Sequence, residues 1–81
     1  MNEQRRRSLR SVLKDLDVLS ESLNHEAGGE DEAYENMPES LQDTERGQVL
    51  LENSETLYRI QNDVDCVIKD IEKLIGSKPE E

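Results

Sequence analysis

A spacing constrains this chain more than any other feature. From Leu57 onward, apolar residues fall at Leu57, Ile60, Val64, Val67, Ile71 and Leu74, at intervals of 3, 4, 3, 4 and 3. An α-helix brings residues three and four apart onto one face, so this interval defines a heptad seam. Ile68 and Ile75 lie one place beyond seam positions and broaden the stripe. The first half repeats the device with Leu9, Val12, Leu16, Leu19 and Leu23, and Leu13 lies beside it. No stretch alternates apolar and polar residues over a useful length, so strands are not expected and the fold class is all-α.

Both stripes extend toward the middle of the chain. Carried backward, the second seam takes in Leu50 and Asn53; carried forward, the first reaches Glu26, Glu30, Ala33 and Met37. Gly28-Gly29 interrupts that path, and each glycine costs about 1 kcal/mol inside a helix. The spacing therefore predicts a first helix over about 3–36, bent or broken at 28–29. The rival is a helix ending near Ala27 followed by a short one over Glu30–Asn36. Pro38 disfavours helical geometry at Met37, which places a turn over 37–43 around Met37, Pro38, Ser40 and Leu41. Two N-caps are open for the second helix: Ser40, with Asp43 three places on, and Thr44, followed by Glu45. That helix is expected over about 44–75, with Gly76 as its stop and a tail over 76–81.

Two helices of matched length joined by a short turn predict an antiparallel, coiled-coil-like hairpin. A two-stranded coil needs only a narrow seam, whereas Leu13, Ile68 and Ile75 widen the stripe toward the breadth used in bundles. A lone hairpin would leave part of that stripe wet. The chain has 81 residues, 32% of them hydrophobic, with no Trp or Phe, so a deep monomeric core is not expected. The expected state is a homodimeric four-helix bundle, or a higher oligomer.

The charges are segregated. Residues 26–45 hold eight acids and no Lys or Arg, while Arg5, Arg6, Arg7, Arg10, Lys14, Lys69, Lys73 and Lys78 lie near the two ends. A hairpin would gather the latter into a basic base and leave an acidic tip. Glu30, Asp31, Glu32, Glu35, Glu39 and Asp43 are the candidate partner-binding residues of that tip. Dipolar rods of this kind favour antiparallel association, with charge setting orientation more than affinity. Arg5, Arg6 and Arg7 oppose the helix dipole and read as a solvated start.

The net charge of −10 disfavours direct nucleic-acid binding and adsorption to anionic membranes. No apolar run approaches the length of a membrane span or of a secretory leader, and Cys66 is the single cysteine, so a reducing cytoplasm is the expected compartment. No arrangement of residues points to catalysis, a metal or a cofactor. His25 lacks Cys or His neighbours at ligand spacing and reads as a solvated helix residue. Cys66, flanking the seam, reads as partly buried.

The stretch Asn36-Met37-Pro38-Glu39-Ser40-Leu41-Gln42, followed by Thr44-Glu45-Arg46-Gly47, resembles a group of small proteins of bacteriophage, prophage and other mobile bacterial elements. The resemblance implies an acidic helical segment, a turn carrying this motif and a second helix, in a bacterial host cell. It brings no activity and no functional residues. Within the motif, Met37 and Leu41 are expected to fold over the end of the seam while Pro38 fixes the turn. The function expected is non-enzymatic protein–protein interaction, with itself and with another protein. The alternative is an acidic mimic of nucleic acid that inhibits a host nucleic-acid-binding or defence enzyme.

Overall fold

The computed structural model describes residues 1–76 and shows three helices. α1 spans Glu3–Glu35, α2 spans Glu39–Gln42 and α3 spans Glu45–Gly76. No strand occurs among the described residues. α1 and α3 pack along their length as an antiparallel hairpin, and the molecule measures 63 × 14 × 12 Å. Of the expected tail, Ser77–Glu81 lies outside the described residues.

α1 starts at Asn2, whose side-chain Oδ1 accepts a hydrogen bond of 2.8 Å from the Arg5 backbone N–H. This N-cap satisfies one of the donors that a helix start leaves open. The helix runs through Gly28-Gly29 without a break, and neither glycine has positive φ. Ala27 packs immediately before the glycines, and Glu30, Tyr34 and Met37 continue the same face beyond them. Their packing offsets a propensity cost of about 1 kcal/mol per glycine.

The turn differs from the expected loop because it contains a helical turn of its own, α2. Ser40 caps nothing: Pro38 holds the N-cap position of α2 and makes no side-chain cap bond. Thr44 is the cap of α3. Its hydroxyl accepts from the Gly47 N–H at 3.5 Å, and its carbonyl accepts from the Gln48 N–H at 3.0 Å. Gln42 finishes the corner, its Nε2 donating to the carbonyls of Tyr34 at 3.2 Å and Met37 at 3.4 Å. The Tyr34 carbonyl also accepts from the Met37 backbone N–H at 3.1 Å, so Gln42 adds a second bond there at an end whose last turn has no basic side chain. Met37 is half-buried, but Leu41 is exposed and does not fold over the seam.

The seam inside the hairpin is rotated one place from the spacing expected. On α1 the residues turned inward are Arg6, Leu9, Leu13, Leu16, Ser20, Leu23, Ala27, Glu30 and Tyr34, with Met37 in the same row just past the helix end. On α3 they are Gly47, Leu50, Ser54, Leu57, Gln61, Val64, Ile68, Ile71 and Ile75. Leu13, Ile68 and Ile75 thus belong to the seam, while Val12, Leu19, Val67 and Leu74 do not. The row that begins at Val12 would reach Glu26 toward the tip, whereas the row through Leu13 reaches Ser20, Ala27 and Tyr34. Only the second row runs the whole length without burying a carboxylate at position 26.

Small residues make this register workable. The cross-helix bonds Ser20–Asp65, Glu30–Asn53 and Asp31–Tyr58 fix an antiparallel register that brings Leu9 near the level of Ile75, Leu16 near Ile68 and Ala27 near Leu57. Ala27 is fully buried (0% exposed), and Ser20, Ser54 and Gly47 are also buried. A Cβ on Gly47 would overlap the backbone carbonyl of Gln42, so only glycine fits that corner. By contrast, among the described residues none of the large apolar side chains is fully buried. Two helices offer cover on one side only, so Leu9, Leu13, Leu16 and Leu23 stay half-buried.

Candidate interaction surface

In an antiparallel pair, the residues one place before the first seam position of each heptad gather on one edge of the hairpin. On α1 these are Arg5, Val12, Leu19, Glu26 and Ala33; on α3 they are Arg46, Asn53, Ile60, Val67 and Leu74. In the half nearest the termini this edge is apolar and open to solvent, with Val12 41% exposed, Leu19 54%, Val67 47% and Leu74 49%. Ile60 is half-buried beside them. A strip of this kind, bordered by charge, marks a contact surface more often than scattered exposed aliphatics do.

The opposite edge is polar. There Tyr58 donates its hydroxyl to Asp31 Oδ2 at 3.2 Å. Burial of part of the ring, then the Asp31 charge and the hydrogen bond to it, raise the Tyr58 phenol above its ordinary value. Ser20 Oγ donates to Asp65 Oδ1 at 2.6 Å. On the apolar edge, toward the tip, Asn53 Nδ2 donates to Glu30 Oε2 at 3.4 Å. These three bonds cross from one long helix to the other and agree with the register described above.

The tip carboxylates divide into two groups. Glu30 and Asp31 face α3 and accept the bonds just described. Glu32, Glu35, Glu39 and Asp43 are exposed, with Glu39 in the first turn of α2 and Asp43 at its C-cap. Among the described residues, no group of three or more His, Cys, Asp or Glu side chains is placed to hold a metal ion. An open concavity lined by Thr44, Glu45, Arg46, Val49 and Leu50 lies along the start of α3 and converges on no polar cluster.

At the base, Arg6 is not part of a solvated patch. It is buried on the seam row, with Leu9 next along it. Its alkyl stem can cover apolar surface while the guanidinium reaches water. Arg5, Arg7 and Arg10 are exposed, and Arg10 pairs with Glu3 at 3.2 Å. Cys66 is exposed rather than partly buried, because the rotated seam turns it outward. His25 is exposed as well. No helix among the described residues is long and apolar enough to cross a membrane.

The N-cap at Asn2 and the close corner at Gly47 were both missed by the heptad reading. Asn immediately before a helical run is a recognised start signal, and could have revealed the first. No local signal marks the second, because the obstacle to a side chain at 47 is a backbone atom five residues earlier. No protein family matches the chain, and neither a curated protein nor a solved structure matches it.

Proposed function

We propose that the chain is a small non-enzymatic interaction protein that works as an oligomer in the bacterial cytoplasm, encoded by a phage or prophage. One observation carries the oligomeric part: the apolar edge formed by Val12, Leu19, Val67 and Leu74, on a hairpin that fully buries no large side chain among the described residues. Covering that edge completes a core the single hairpin leaves open. The phage assignment rests on the motif Asn36–Gln42 with Thr44–Gly47. Sedimentation equilibrium across 1–300 μM tests the reading. Self-association is expected, and a folded monomer throughout that range overturns it.

A second reading is favoured by the exposed carboxylates Glu32, Glu35, Glu39 and Asp43, in a stretch without Lys or Arg. They present a row of negative charge that can occupy a phosphate-binding cleft on a host enzyme. Binding of that kind weakens steeply with salt and competes with DNA or RNA, whereas apolar docking does neither. Replacing the four by Gln or Asn removes partner binding only under mimicry.

A further inference from the structure

We propose that the apolar edge is closed by a second copy of this chain lying antiparallel, overlapped over the terminal halves only. This rests on the oligomeric reading above and specifies its geometry. The charge pattern along the edge selects this arrangement. On α1 the edge reads Arg5, Val12, Leu19, Glu26, at even intervals of seven. Turned end for end against itself, that row is self-complementary: Arg5 meets the partner's Glu26, and Val12 meets the partner's Leu19. By symmetry each match occurs twice. On α3 the same operation brings Val67 toward the partner's Leu74.

The parallel alternative lacks this match. It sets α1 of one copy against α3 of the other, so Glu26 meets the apolar Ile60 row. It also gathers Arg5, Arg7 and Arg10 of both copies at one end. A buried carboxylate and clustered like charges both oppose that arrangement.

The area suffices. From Arg5 to Glu26 the strip is roughly 32 Å long at 1.5 Å per residue. Two packed helices make it roughly 20 Å wide, so the pair would bury about 1,200 Å² in total, at the lower end of the stable interface range. The overlap leaves α2 and its neighbours projecting at opposite ends. The dimer is then an elongated rod with an acidic tip at each end and the basic bases in the middle.

Small-angle X-ray scattering with sedimentation on the intact chain tests this. The expected particle has the mass of a dimer and a longest dimension of about 90 Å, set by hairpins of 63 Å overlapped over roughly 38 Å. A dimer of about 65 Å overturns the antiparallel overlap and leaves the oligomeric reading standing; a monomer overturns both. Charge reversal supplies the second arm. Arg5→Glu or Glu26→Arg alone should weaken association about tenfold, and the two together in one chain should restore it. Arg5→Glu improves the charge at the helix start, so unfolding would not explain its loss of assembly. Single reversals without effect, or a double reversal that fails to restore association, overturn the register.

Discussion

The hydroxyl of Ser20 donates a 2.6 Å hydrogen bond to Oδ1 of Asp65 and ties α1 to α3 beside the seam. Ser20 is buried and Asp65 is half-buried, so the carboxylate has exchanged part of its water for this donor. Ser20→Ala should lower stability by about 1 kcal/mol in urea denaturation. In a double-mutant cycle with Asp65→Ala, which removes the acceptor, a coupling of about 0.5–1.5 kcal/mol is expected; additive losses would show that the bond contributes nothing to stability.

The glycines should respond in opposite directions. A Cβ at Gly28 or Gly29 meets nothing within 4 Å. Both lie inside α1 with helical backbone, so Gly28→Ala and Gly29→Ala should each stabilise by about 0.5–1 kcal/mol. Gly47→Ala must push the start of α3 away from Gln42, with a loss of about 1–3 kcal/mol. Thermal melts of the three variants distinguish these outcomes.

Two valines three residues apart test the phase of the seam. Val64 is turned inward opposite Ser20, and Val67 lies on the open edge. Val64→Asp places a charge between the helices and should cost about 3 kcal/mol or more, which removes most of the helical circular dichroism. Val67→Asp should keep the helicity of the isolated hairpin and lose self-association. Equal loss of helicity in both variants would refute the assignment of Val67 to the edge.

Tyr58 gives the hairpin a pH dependence in alkali. Its phenol is raised above the usual tyrosine value of 10.0, so the folded chain holds that proton more tightly than the unfolded chain does. This contribution is fully present below the ordinary tyrosine range and is lost as pH rises through the raised value. In a Tyr34→Phe background, absorbance at 295 nm should titrate Tyr58 above the free phenol. Asp31→Asn should bring the midpoint down, since it removes the adjacent charge. An unchanged midpoint would show that Asp31 has no part in the shift.

The helical hairpin was legible in the heptad intervals because helical periodicity is a local property. The phase of the seam was not. Leu9-Val12-Leu16 and Leu9-Leu13-Leu16 are equally good helical stripes, and only the path of each row toward the tip separates them. That choice depends on Glu26 against Ala27, and on which small residues let two backbones approach. In the heptad intervals Leu13, Ile68 and Ile75 lie beside the stripe and widen it; in the structure the excess falls on Val12, Leu19, Val67 and Leu74. Of the tip carboxylates, the sequence could not separate Glu30 and Asp31, which face α3, from Glu32 and Glu35, which face water. That division follows from the rotated seam.

The corner at α2 has a kinetic consequence. Met37 and Gly47 are close in sequence, whereas Leu9 and Ile75 are separated by nearly the whole chain. The entropy of closing a loop grows with its length, so the first contacts form most easily beside the corner and later ones add layer by layer toward the termini. The hairpin closes like a zipper, and the same order reversed makes the terminal layers the first to open. Those layers carry the apolar edge, so a second copy would clasp the part of the rod that closes last.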